Sequence, residues 1–92
     1  MNGVKTILKK ARKLIEKHGW CRGFMKNDNG HFCSIGAINE VSDSSSPENA
    51  DAKAKLYSLV CNRYSSVFNW NDTKYQKKER VLKVFDMAIA SC

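Results

Sequence analysis

Val4, Ile7, Leu8, Ala11, Leu14 and Ile15 recur at helical spacing, so one face of the segment from Val4 to His18 is apolar and has to be buried. Lys5, Lys9, Arg12 and Lys13 cover much of the opposite face, with Lys10 beside it. A helix of this kind needs a complementary apolar surface. At 92 residues the chain has room for one modest core, which predicts a single small helical domain over 1–92. Gly19 is placed to stop the helix, because glycine adopts the left-handed backbone at a helix C-terminus without a Cβ penalty. Trp20 is expected to fold back on the apolar stripe.

Asn29-Gly30 is a turn signal between Met25 and Phe32, which leaves either an irregular loop or a small ribbon over Phe24 and Phe32 after the first helix. Ser34 to Val41 predicts a short second helix with Ile35, Ile38 and Val41 inward, where Gly36 and Ala37 permit close approach by a neighbour. The run SDSSSP at 42–47 reads as a linker. Ser45 with Glu48 forms a capping box, so a third helix is expected from near Ser46 to Arg63 with Ala52, Leu56, Leu59, Val60 and Tyr64 inward. Ser65 to Asp72 reads as a packed turn. Thr73 with Gln76 is a second capping box and predicts a last helix from Lys74 to Ala90, carrying Leu82, Phe85 and Ile89 inward, helped by Val81 and Ala88. The expected fold is all-α: a compact bundle of about four helices, the second one short.

The formal charge of +7 comes from sixteen Lys and Arg against nine Asp and Glu, and it is unevenly spread. Residues 1–26 carry eight cations against Glu16, whereas residues 27–50 carry four acids and no Lys or Arg. Such a field favours an acidic partner, either nucleic acid or an acidic protein surface. Lys5, Lys9, Lys10, Arg12 and Lys13 on the first helix, with Lys74, Lys77, Lys78, Arg80 and Lys83 on the last, would merge into a phosphate-binding patch if those helices are neighbours. The alternative is that these lysines solvate two helices. No helix-turn-helix turn, zinc-finger spacing or RNA-binding aromatic strand pair accompanies them, so sequence-specific recognition is not expected.

His18, Cys21, His31 and Cys33 could supply four zinc ligands, but one residue between His31 and Cys33 is cramped for tetrahedral coordination and no CxxC knuckle is present. Cys33, at the start of a short helix with two histidines near it, could also be an activated nucleophile. Packing and turns account for the same residues more simply, and no phosphate loop or dinucleotide fingerprint appears. A non-enzymatic protein without metal or cofactor is therefore expected. Neither a secretory signal nor a membrane span is expected, since the N-terminal segment is lysine-rich and no apolar run approaches the roughly 20 residues that span a bilayer. With an apolar fraction of 42%, Cys21, Cys33, Cys61 and Cys92 are expected as free thiols in a reducing cytoplasm, a Cys21–Cys33 bridge being the alternative.

Gly19-Trp20, Gly30, Cys33, Gly36-Ala37 and Trp70-Asn71-Asp72, in that order, resemble the signature of a family of small uncharacterised bacterial and phage proteins with a GW turn, a CxxGA segment and a WND motif before the last helix. The resemblance implies a fold and no activity. It casts Cys33 and Gly36 as parts of a packed junction, and Trp70, Asn71 and Asp72 as a tryptophan-anchored start to the last helix. A phage or bacterial accessory protein that binds a host or viral protein through its charged helices, in the host cytoplasm if phage-encoded, is the expected function; nonspecific nucleic-acid binding is the alternative.

Overall fold

The computed structural model describes residues 3–92. Among the described residues there are five helices and no strand: α1 Gly3–His18, α2 Ser34–Val41, α3 Pro47–Val60, α4 Val67–Asp72 and α5 Lys78–Ala90. The apolar stripe of α1 organises the bundle, since this helix packs against α2, α3 and α5. Ile7, Leu8, Ala11 and Ile15 join Ile35, Ala37 and Ile38 of α2, Ala52, Leu56 and Val60 of α3, Val67 and Trp70 of α4, and Val81, Phe85 and Ala88 of α5 in one cluster. Leu8, Ile15, Leu56 and Phe85 are fully buried, each contributing about 1.5–3 kcal/mol relative to exposure.

Local chemistry sets the helix ends. Cys33 caps α2, its Sγ accepting from the Gly36 N–H at 3.3 Å. The cap of α3 is Ser46, whose Oγ accepts from the Asn49 N–H at 3.1 Å, and not the expected Ser45. Ser45 is diverted because its own N–H and hydroxyl both donate to Asp43 Oδ1, leaving Ser46 one residue before Pro47 to take the capping position. This helix also stops at Val60, short of Arg63, and Cys61 to Arg63 form a turn. Buried Asn49 ties the ends together, donating to Ser42 Oγ at 2.9 Å and Asn39 Oδ1 at 3.1 Å.

Two expectations for the C-terminal part are corrected. The segment expected as a packed turn is largely α4, capped by Ser66, whose Oγ accepts from the Asn69 N–H at 3.0 Å while Val67, Trp70 and Asn71 turn inward. The last helix begins at Lys78, not Lys74, because Gln76 does not close a capping box on Thr73; its Nε2 donates to the Trp70 carbonyl at 2.8 Å. The buried face of α5 centres on Val81, Phe85 and Ala88, with Leu82 and Ile89 half-buried, since this helix divides its packing between α1 and α3.

Between α1 and α2 the chain forms an irregular loop and not a ribbon. Phe32 serves two neighbours at once: its N–H donates to the Gly19 carbonyl and its carbonyl accepts from Cys21, while the adjacent Cys33 N–H donates to Met25, each at 3.0 Å. Only isolated bridges result, Trp20 with Phe32 and Lys26 with Phe32. No helix among the described residues is long and apolar enough to cross a membrane.

Candidate functional site

Most of the residues in the GW, CxxGA and WND segments converge on one junction between the loop, α2 and α4. At its centre is Asn71, fully buried. Its Oδ1 accepts from Trp20 Nε1 at 2.8 Å, from the Ser34 N–H at 3.0 Å and from Ser34 Oγ at 2.7 Å. Its Nδ2 donates to the Cys21 carbonyl at 3.1 Å and to Asp72 Oδ1 at 2.9 Å. Exchanging the amide oxygen and nitrogen would set donors against the Trp20 and Ser34 N–H groups, so the network itself fixes the orientation.

Asp72 Oδ1 also accepts from the Gly23 N–H at 3.0 Å, and Arg22 donates to the Lys74 and Gln76 carbonyls while lying over the Trp20 ring. Trp70, Asn71 and Asp72 therefore end α4, and Asn71 and Asp72 clamp the first loop. They do not open the last helix as the resemblance implied, because α5 starts at Lys78. Two glycines are dictated by space: a Cβ on Gly36 would lie 2.0 Å from the Met25 carbonyl oxygen, and one on Gly19, at φ 109°, would lie 2.6 Å from the His31 ring. Ala37 is fully buried beside Gly36, whereas Gly30, at φ 79°, faces open space and serves only the turn.

The histidines and cysteines of this region face separate neighbours. His18 meets Phe32 edge-on, His31 packs under Gly19, Cys21 Sγ approaches the Phe24 and His31 carbonyls at 3.3 and 3.4 Å, and Cys33 Sγ caps α2. Among the described residues no group of three or more His, Cys, Asp or Glu side chains is arranged to hold a metal ion. All four cysteines are free. Burial pushes both the Cys21 and the Cys33 thiols above the ordinary value, the opposite of the activation a nucleophile needs.

The two lysine-rich helices are neighbours, as a merged patch would require. Their seam, however, carries acids. Arg12 donates to Asp86 at 2.5 Å and to Glu16 at 3.1 Å, its pKa raised first by the Asp86 bond and then by Glu16, and Lys78 Nζ donates to the Glu16 carbonyl at 3.0 Å. Lys74 leans over the Tyr75 ring. Lys9, Lys10, Lys13, Lys77, Arg80 and Lys83 are exposed, while Lys5 is half-buried.

On the side of α1 that faces the end of α2, Lys10, Lys13, Lys17 and His18 surround half-buried Leu14 and Val41 in a shallow depression of about 280 Å³. Lys17, Leu14 and Val41 were not singled out as site residues by sequence, and His18 was weighed only for zinc and for chemistry at Cys33. The signal was present in the spacing of Lys10, Lys13, Leu14 and Lys17, which share one side of a helix. A second depression, of about 270 Å³, lies beside exposed Phe24 at the loop turn with Lys26, Asn27, Asp28 and Asn29. Each falls just below the 300–1,000 Å³ typical of small-molecule sites, enough for a side chain or two.

The model of DUF6197, a family of unknown function, matches residues 1–91. No curated protein and no solved structure matches the chain.

Proposed function

The chain belongs to DUF6197, and because that family brings no activity with it, we propose from the chain's own surface that it is a non-enzymatic accessory or regulatory protein that binds another protein through its charged helices. The resemblance drawn from the sequence points to a bacterial or phage protein; a host or viral partner in the cytoplasm is part of the proposal and not of the resemblance. The observation that carries the proposal is the depression on α1, where cations surround an apolar floor. Protein interfaces combine an apolar centre with a polar, charged rim. A surface that tracks phosphates gains little from half-buried leucine and valine and is weakened by carboxylates in its path, and the α1–α5 seam holds Glu16 and Asp86.

The second reading is nonspecific nucleic-acid binding, favoured by exposed Lys9, Lys13, Arg80 and Lys83 on the two outer helix faces. Titration of labelled duplex and single strands over a range of salt separates the two. The protein-binding reading expects weak association without sequence preference. Tight binding with a steep salt slope, abolished by substituting Lys9, Arg12 and Lys78, would overturn it.

A further inference from the structure

The α1 depression combines features that together specify the chemistry of what fits it. Lys10 and Lys17 lie two helical turns apart, about 10 Å along the axis, with Lys13 between them on the outer side. Leu14 lies between these cations, and Val41 faces it from the last residue of α2. Both apolar side chains are only partly covered by the core. Three lysines around an apolar floor match a segment that presents carboxylates on either side of a leucine-like or phenylalanine-like side chain.

From this geometry we infer that the depression lined by Lys10, Lys13, Leu14, Lys17, His18 and Val41 docks an acidic, amphipathic peptide segment of a partner protein, with one apolar side chain seated on Leu14 and Val41. The inference rests on the protein-binding reading and names the kind of partner. A free phosphate or a nucleic-acid backbone would engage the lysines and leave the floor uncovered. A second copy of the chain is disfavoured by the net charge of +7, which makes identical molecules repel. Glu40 and Asp43, the acids nearest Val41 in the chain, are both exposed and repel other carboxylates, which favours an acidic segment that runs along α1 rather than along α2.

The test is a titration of the isotope-labelled full chain, followed by amide chemical shifts, with a synthetic peptide in which two leucines one helical turn apart are flanked by glutamates. A second peptide has both leucines replaced by serine, and an oligothymidine strand serves as a phosphate probe. The expected result is saturable shifts at residues 10–18 and around Val41 for the leucine peptide. Binding should weaken at least about tenfold for the serine peptide, and similarly for the Lys13→Glu/Lys17→Glu variant, whose positions are exposed and whose thermal midpoint falls only modestly, from an acid in the last turn of α1.

Equal binding of the serine peptide, or tighter binding of oligothymidine at the same residues, would reduce the site to an anion patch and overturn the inference. Saturable shifts centred on Phe24 and Met25, or none with either peptide, would overturn it as well. Co-purification of an intact partner protein in those last two cases would show that the protein-binding reading survives the loss of this site.

Discussion

The Trp20 indole N–H donates to the Asn71 side-chain oxygen at 2.8 Å, across 51 positions of sequence. That oxygen also takes both Ser34 donors, so one buried amide joins the loop after α1, the start of α2 and the end of α4. Asn71→Ala strands the Trp20 indole, the Ser34 N–H and hydroxyl, and the Cys21 carbonyl. At about 1–3 kcal/mol for each unsatisfied buried group, partly recovered by relaxation, the variant loses at least about 3 kcal/mol. Trp20→Phe removes a single donor from a half-buried ring and costs about 1 kcal/mol through that bond. Urea unfolding followed by circular dichroism ranks the two, and equal losses would contradict a central role for Asn71.

Gly36 and Gly30 differ in what an added methyl meets. At Gly36 it would overlap the Met25 backbone carbonyl, which is itself bonded to the Cys33 N–H, so Gly36→Ala costs about 3 kcal/mol or more. At Gly30 only the left-handed backbone is penalised, about 1–2 kcal/mol. Thermal or urea unfolding of the two variants checks the order. A milder effect at Gly36 would mean that the loop lies farther from α2 than it does here.

Much of this fold was legible in the sequence where a signal is local. The apolar stripe of α1 places the helix within one residue of its observed start, and the bounds expected for α2 are those observed, since apolar spacing and neighbouring glycines act over a few residues. What misled was competition for the same polar side chains. Ser45 looked like a cap but bonds to Asp43, and Gln76 looked like half of a capping box but reaches the Trp70 carbonyl. Trp70-Asn71-Asp72 stood out as a motif, yet its role depends on partners some fifty residues away that no local pattern marks. The α1 depression was half visible: the lysine spacing is local, but Val41 closes it from another helix.

Thiol chemistry should divide the cysteines in pairs. Exposed Cys61 and Cys92 react promptly with a disulfide reagent at neutral to mildly alkaline pH, while buried Cys21 and Cys33 react only as the protein opens. The same burial links stability to pH. Unfolded thiols ionise near about pH 8.5 while the folded Cys21 and Cys33 keep their protons, so this contribution is complete below that pH and is lost as pH rises through the raised folded values. The urea midpoint therefore falls on the alkaline side, and falls less in a Cys33→Ala background when each variant is compared with its own neutral value. An unchanged alkaline slope in that background would show that Cys33 does not carry the linkage.

Arg12 and Asp86 hold α1 to α5 at a partly exposed seam. A double-mutant cycle with Arg12→Ala and Asp86→Ala should give a coupling of about 0.5–1 kcal/mol that shrinks as salt is raised. Coupling well above that range, insensitive to salt, would indicate a pair far drier than its side-chain exposure of 27% and 56% allows.

If the cationic, apolar-floored side of α1 takes a protein, that protein stays with the chain through purification. The most direct measurement is co-purification from nuclease-treated lysate of the source cell, run in parallel with the intact chain and with Lys13→Glu/Lys17→Glu at matched thermal stability. One protein should be retained in stoichiometric amount by the intact chain and lost with the variant. Retention that disappears on nuclease treatment, or a partner held equally by both proteins, would contradict it.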